Sequence, residues 1–158
     1  MNSFTKFTAA IVSLLCMGIA SPASAQSLKE KMIGAWTLDV GSEIFQDGKK
    51  VIPWAAGSLI LSSNGHFSFF VIGKDRPKGS GDPRIPVAPV VAYYGTYTIS
   101  EADNTMTYKQ EHATNPSFDG AVRTQKISFK GDTMTTTSSD VKTPQGTITP
   151  VNEWKKAK

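Results

Sequence analysis

Val90-Val-Ala-Tyr-Tyr-Gly-Thr-Tyr-Thr-Ile-Ser100, Thr105-Met-Thr-Tyr-Lys-Gln-Glu-His112 and Val122-Arg-Thr-Gln-Lys-Ile-Ser-Phe129 follow one another with only two short interruptions, and their reading decides the fold. Side chains of an extended chain alternate between two faces. Val91, Tyr93, Gly95, Tyr97 and Ile99 therefore share one face of the first segment, and Tyr, Val, Thr and Ile suit a pleated, half-buried surface. Gly95 inside the run predicts a bend or bulge of the kind a small barrel needs to close. In the second segment Met106, Tyr108, Gln110 and His112 form the less charged face and are expected to point inward. In the third, Arg123, Gln125, Ile127 and Phe129 are assigned inward because that face carries Ile127 and Phe129, although it also turns a cation toward the core. Glu101–Asn104 makes the first turn. Asn115-Pro116 and Asp119-Gly120 mark the second.

The same grammar extends in both directions. Ser27-Leu-Lys-Glu30 has the form of a capping box and predicts a short helix over one end of a barrel. Trp36, Leu38 and Val40 alternate along a first strand. Asp47-Gly48 and Asn64-Gly65 are two-residue hairpin signals; the second joins Gly57–Leu61 to His66–Ile72. Trp54, after Pro53, reads as loop. Gly73–Pro89 holds Pro77, Pro83, Pro86 and Pro89, a density no strand ladder accepts. It is read either as a long hairpin connection or as a lid over a barrel mouth. Lys130-Gly-Asp132 and Pro144-Gln-Gly146 turn into the last strands, Thr133–Ser139 and Thr147–Trp154. The expected architecture is all-β, a single antiparallel up-and-down β-barrel of about 8–10 strands with a short N-terminal helix, closed so that no edge is left to aggregate.

Residues 1–25 read differently. Lys6 precedes an apolar run from Phe7 to Ala20, and Ala23-Ser24-Ala25 is a signal-peptidase site of the A-x-A kind, so a secretory signal is expected with cleavage after Ala25. The run is too short to anchor the chain in a bilayer. Cys16, the one cysteine in 158 residues, follows Leu15 rather than a small residue and is expected to leave with the signal. The mature chain, 26–158, would then be one periplasmic or extracellular domain with a single core, no disulfide, no thiol nucleophile and no transmembrane segment. Its charges are scattered and nearly balanced, and predict no nucleic-acid partner.

Taken in order, Ile33-Gly-Ala-Trp-Thr-Leu38, Gly57-Ser-Leu-Ile60 with Asn64-Gly65, Arg76-Pro77, Tyr94-Gly-Thr-Tyr97, Asn115-Pro-Ser-Phe-Asp-Gly120 with Arg123, and Glu153-Trp154 resemble the bacterial lipocalin-like domain family. The resemblance implies an up-and-down barrel with a small internal cavity and leaves activity open, because the wider group mixes carriers, proteins of unknown role and a few enzymes. This chain departs from the family pattern in carrying Tyr108 where members often have His. It also has Lys155 and Lys156 where an Arg commonly closes over a Trp at the barrel end.

The residues expected to form a site are Tyr108, Gln110, His112, Arg123 and Gln125 as the polar part, with Tyr97 and Phe129 in the apolar wall beside Tyr93, Met106 and Ile127. Their alternative is a buried network that sets register. Arg123 would orient a carboxylate, carbonyl or phenol on a small apolar or amphipathic molecule. No catalytic residue is assigned. If the protein were a cofactor-independent isomerase or cyclase acting on an apolar substrate, His112 or Glu111 would be its acid or base, and Tyr108 or Arg123 would stabilise an enolate-like oxygen. A third reading is a filled barrel serving the cell envelope. No cofactor or metal is called for. The two histidines, His66 and His112, are 46 positions apart, and no phosphate-binding glycine loop or Gly-x-Ser-x-Gly occurs.

Overall fold

The computed structural model describes residues 26–79, 81–82 and 89–158. The proposed signal, 1–25, and part of the Gly73–Pro89 loop, including Pro83 and Pro86, lie outside the described residues. A short helix, α1 (Leu28–Met32), is followed by β1 (Gly34–Phe45), β2 (Lys50–Val51), β3 (Trp54–Leu61), β4 (His66–Gly73), β5 (Val90–Ser100), β6 (Thr105–Ala113), β7 (Val122–Lys130), β8 (Thr133–Ser138), β9 (Val141–Thr143) and β10 (Gly146–Lys156). Neighbouring strands run in the order β2-β1-β3-β4-β5-β6-β7-β8-β10-β9, and β1 also pairs with β10 along Trp36–Phe45. Eight long strands thus close into an antiparallel barrel, and β2 and β9 extend its rim.

One end of the barrel is a floor. Ser27 accepts from the Glu30 N–H while Glu30 reaches back to the Ser27 N–H, the capping box read from the sequence. Glu101, from the β5–β6 turn, accepts from the N–H groups of Leu28 and Lys29 at 2.9 and 3.0 Å and so fastens the helix to the barrel. Met32 is fully buried by this docking. Trp36 donates to the Met32 carbonyl at 2.7 Å, and Lys156 lies over the Trp36 ring at 4.3 Å while donating to the Lys31 carbonyl at 3.0 Å. The cation that covers the end-packing tryptophan is therefore a lysine from the last strand, and burial lowers its pKa. Above the floor, Leu59, Leu61, Phe67, Met106, Ile127, Met134 and Trp154 fill the lower interior.

Three interruptions of register decide what the upper interior contains. Asp39 is unpaired between Leu38, opposite Trp154, and Val40, opposite Glu153. Ala55 is unpaired between Trp54, opposite Gly73, and Ala56, opposite Ile72. Glu111 is unpaired between Gln110, opposite Gly95, and His112, opposite Tyr94. One extra residue inverts the inward and outward faces beyond it. The simple alternation read for the first strand therefore holds only to Leu38. Beyond the Asp39 bulge, Gly41 faces Asn152 and Glu43 faces Pro150. Trp54, read as loop, is the first residue of β3. Pro53 just outside the strand lacks an N–H but offers its carbonyl to the Lys74 N–H at 2.9 Å, and a proline is tolerated at such an edge position.

Candidate functional site

The strand ends opposite the floor surround a cavity of about 470 Å³, open at the rim. Trp54, Phe69, Val71, Val91, Ile148 and Pro150 supply much of its apolar wall. Its polar side comes from neighbouring strands: Tyr93 on β5, Tyr108 and Gln110 on β6, Arg123 and Gln125 on β7, and Ser138 on β8. A separate void of only about 10 Å³ lies deeper, among Leu59, Phe67, Met106 and Trp154, where the interior is closely packed.

The polar side is a cluster of neighbouring side chains. The Tyr93 and Tyr108 rings lie nearly parallel, 4° apart with centroids at 5.8 Å. Gln125 and Ser138 line the cavity beside Tyr108, and the Gln125 amide donates to the Ser138 hydroxyl at 2.9 Å. Burial pushes the phenol of Tyr93 well above its ordinary range and raises that of Tyr108, so both act as neutral hydrogen-bonding groups at neutral pH. Arg123 pulls both downward by its charge. Its guanidinium lies 5.1 Å from the centre of the Phe118 ring, and among the described residues it has no carboxylate partner. Gln110 is 3% exposed, and its Oε1 has no hydrogen-bond partner among the described residues.

Four of the seven expected site residues therefore converge on the cavity: Tyr108, Gln110, Arg123 and Gln125. The other three do not. Tyr97 is buried toward the floor, where its hydroxyl donates to the Ser62 carbonyl at 2.7 Å. Phe129 packs against Trp36 with ring centroids 6.0 Å apart. The inward reading of His112 is corrected: the Glu111 bulge turns it to the outer surface opposite Tyr94, with its side chain 69% exposed. There His112 Nδ1 lies 3.1 Å from Asp119 Oδ2. That hydrogen bond, and then the one from the Ala113 N–H, holds the Asp119 carboxyl below its usual range. His66 is exposed as well. Among the described residues no three His, Cys, Asp or Glu side chains form a group that could hold a metal.

Glu43 was missed because the Asp39 bulge that turns it inward leaves no mark in the alternation. It lines the cavity across from the tyrosine side, and burial raises its carboxyl pKa. A carboxyl whose folded pKa lies above its unfolded value binds protons more tightly in the folded state. It therefore lowers stability as pH rises through that window. Glu43→Gln is expected to raise the Tm by about 2 °C at pH 8 and to leave it nearly unchanged at pH 3.5, where both side chains are neutral. Thermal melts at the two pH values check this. An equal shift at both would show that the charge of Glu43 is not what the cavity opposes.

A closed eight-stranded antiparallel barrel with a helix across one end and a cavity at the other is consistent with a lipocalin-like fold. Among solved structures the chain is similar to a lipocalin-like protein from Bacteroides uniformis ATCC 8492, at 14% identity and a TM-score of 0.45, over 80% of this chain and 99% of that one. It is also similar to an uncharacterized protein from Bacteroides eggerthii DSM 20697, at 16% identity and a TM-score of 0.41, over 77% of this chain and 98% of that one. The sequence matches no protein-family model and no curated protein.

Proposed function

We propose that the barrel is a binding module for a small, partly apolar molecule whose polar head meets Arg123, Gln110 and the Tyr93–Tyr108 pair. The observation that carries this reading is the cavity itself: about 470 Å³ of space bounded by apolar wall, with a buried Gln110 oxygen lacking a partner on its polar side. Small-molecule sites combine these two elements, and a buried acceptor without a donor is costly unless something arrives to satisfy it. The same volume counts against a barrel packed solid for a purely structural role. The isomerase or cyclase alternative loses its assigned base, because His112 and Glu111 are both exposed and outside the cavity.

A panel of fatty acids, aromatic acids and neutral isoprenoids, read by thermal shift and titration calorimetry, tests the proposal. Acids are expected to bind saturably. Arg123→Ala should weaken them by about 10- to 100-fold, the loss of a charge-assisted hydrogen bond worth roughly 1.5–3 kcal/mol, while changing neutral ligands little. A panel that leaves the Tm unmoved, together with identical binding by Arg123→Ala, would end the proposal.

The proposal also includes export to the periplasm or the medium, supported by the Phe7–Ala20 apolar run and Ala23-Ser24-Ala25. Sequencing the N-terminus of protein recovered from the envelope fraction should begin at Gln26. Recovery in the cytoplasm with Met1 still attached would refute that part.

A further inference from the structure

We infer that the molecule taken into this barrel is bipolar: an anionic group at one end, a cationic or hydrogen-bond-donating group at the other, and an apolar body between them. The inference rests on the binding reading above and adds the second pole. Its ground is the pairing of Glu43 with Arg123 across one cavity. Both side chains line it, yet their strands are not neighbours. In the closed order β8 and β10 separate β7, which carries Arg123, from β1, which carries Glu43. Among the described residues neither forms a salt bridge, and no hydrogen-bond donor reaches the Glu43 carboxylate.

A carboxylate turned toward an apolar wall without a partner costs free energy. Unlike an outward Glu, it is not there by default, since only the Asp39 bulge puts it inside. Trp54 and Val71 stand between the two charges around one side of the wall, and Ile148 and Pro150 line the other. A ligand with a single acidic head would satisfy Arg123 and strand Glu43 against its own apolar tail. A ligand with an ammonium or hydroxyl at its far end satisfies both. Lys142 also reaches the cavity, but from the exposed β9 rim, where solvent screens it.

The probes are straight-chain acids of about eight to twelve carbons and their ω-amino and ω-hydroxy derivatives, chosen to lie within the size range that cavities of this volume take. Binding is measured by calorimetry on the wild type, Glu43→Gln, Glu43→Asp and Arg123→Gln. On the wild type the ω-amino acid should bind at least about tenfold more tightly than its parent acid. Glu43→Gln should abolish that preference without weakening the parent acid, which is freed of the stranded carboxylate, and Glu43→Asp should keep part of it. Arg123→Gln should weaken parent and derivative alike. Equal or weaker binding of the derivative by the wild type, or a preference that survives Glu43→Gln, overturns the inference and leaves the binding reading standing. If no acid of either kind binds the wild type, the binding reading falls and the second pole falls with it.

Discussion

Trp154→Ala is expected to destabilise the protein by about 4 kcal/mol, within the range for truncating a large buried aromatic, and to lower the Tm by roughly 15 °C. Trp154 is 1% exposed. It sits in the lower interior with Phe69 edge-on to its ring at 5.8 Å, and Leu38 and Met134 are its partners on the flanking strands. Its indole N–H donates to the Thr136 hydroxyl at 3.1 Å. Alanine would lose the ring contacts, open a void continuous with the small one already beneath the cavity, and leave a 1%-exposed Thr136 hydroxyl without its donor. Trp154→Phe separates these effects. It keeps most of the apolar contact and loses the N–H, and should cost about 1–2 kcal/mol. Chemical denaturation of both variants decides the matter. A loss below about 1 kcal/mol for alanine would mean that the floor is not a rigid, close-packed layer.

Gly95→Ala is expected to cost about 3 kcal/mol or more, the upper part of the range for overpacking, and to disturb the site as well as stability. A Cβ at Gly95 would fall 1.9 Å from the Lys109 carbonyl oxygen and 2.9 Å from the Glu111 nitrogen. Both are backbone atoms of the neighbouring strand, so no rotamer change relieves the overlap. Gly95 is what allows β6 to press against β5 where Glu111 bulges. Forcing the strands apart there moves Gln110 and the start of the turned-out segment together. Gly131→Ala is the comparison. Nothing lies within 4 Å of a Cβ at that turn, but φ is +58°, so its cost should be only the left-handed penalty of about 1 kcal/mol. Denaturation midpoints should rank Gly95→Ala well below Gly131→Ala. Equal losses would show that conformation, not contact, explains both glycines.

The two variants also mark where the chain can be read directly and where it cannot. Tyr108, Gln110, Arg123 and Gln125 were legible because β7 and the first part of β6 keep strict alternation, so one apolar residue such as Ile127 or Met106 assigns the whole face. Tyr97 and Phe129 lie on the correct faces but at the wrong height. Period two says in or out and says nothing about distance from the floor. His112 and Glu43 were misplaced or missed for a single reason, an unpaired residue earlier in each strand, Glu111 immediately before His112 and Asp39 four positions before Glu43. Gly95 was a visible trace of the bulge opposite Glu111. Nothing comparable marks Asp39.

What this sequence determines by itself is the sheet: alternating side chains, Asn-Gly and Asp-Gly turns and a capped helix leave little choice but antiparallel hairpins wrapped around one core, because those signals are local and period two holds on either side of each bulge. Which side chains beyond a bulge enter the cavity was decided only by tertiary structure. Whether a side chain beyond a bulge points into the barrel depends on which residue of the neighbouring strand lacks a partner, and that pairing is settled by packing across strands distant in sequence. Glu43 owes its place to β10 and His112 owes its place to β5, more than 100 and nearly 20 positions away along the chain.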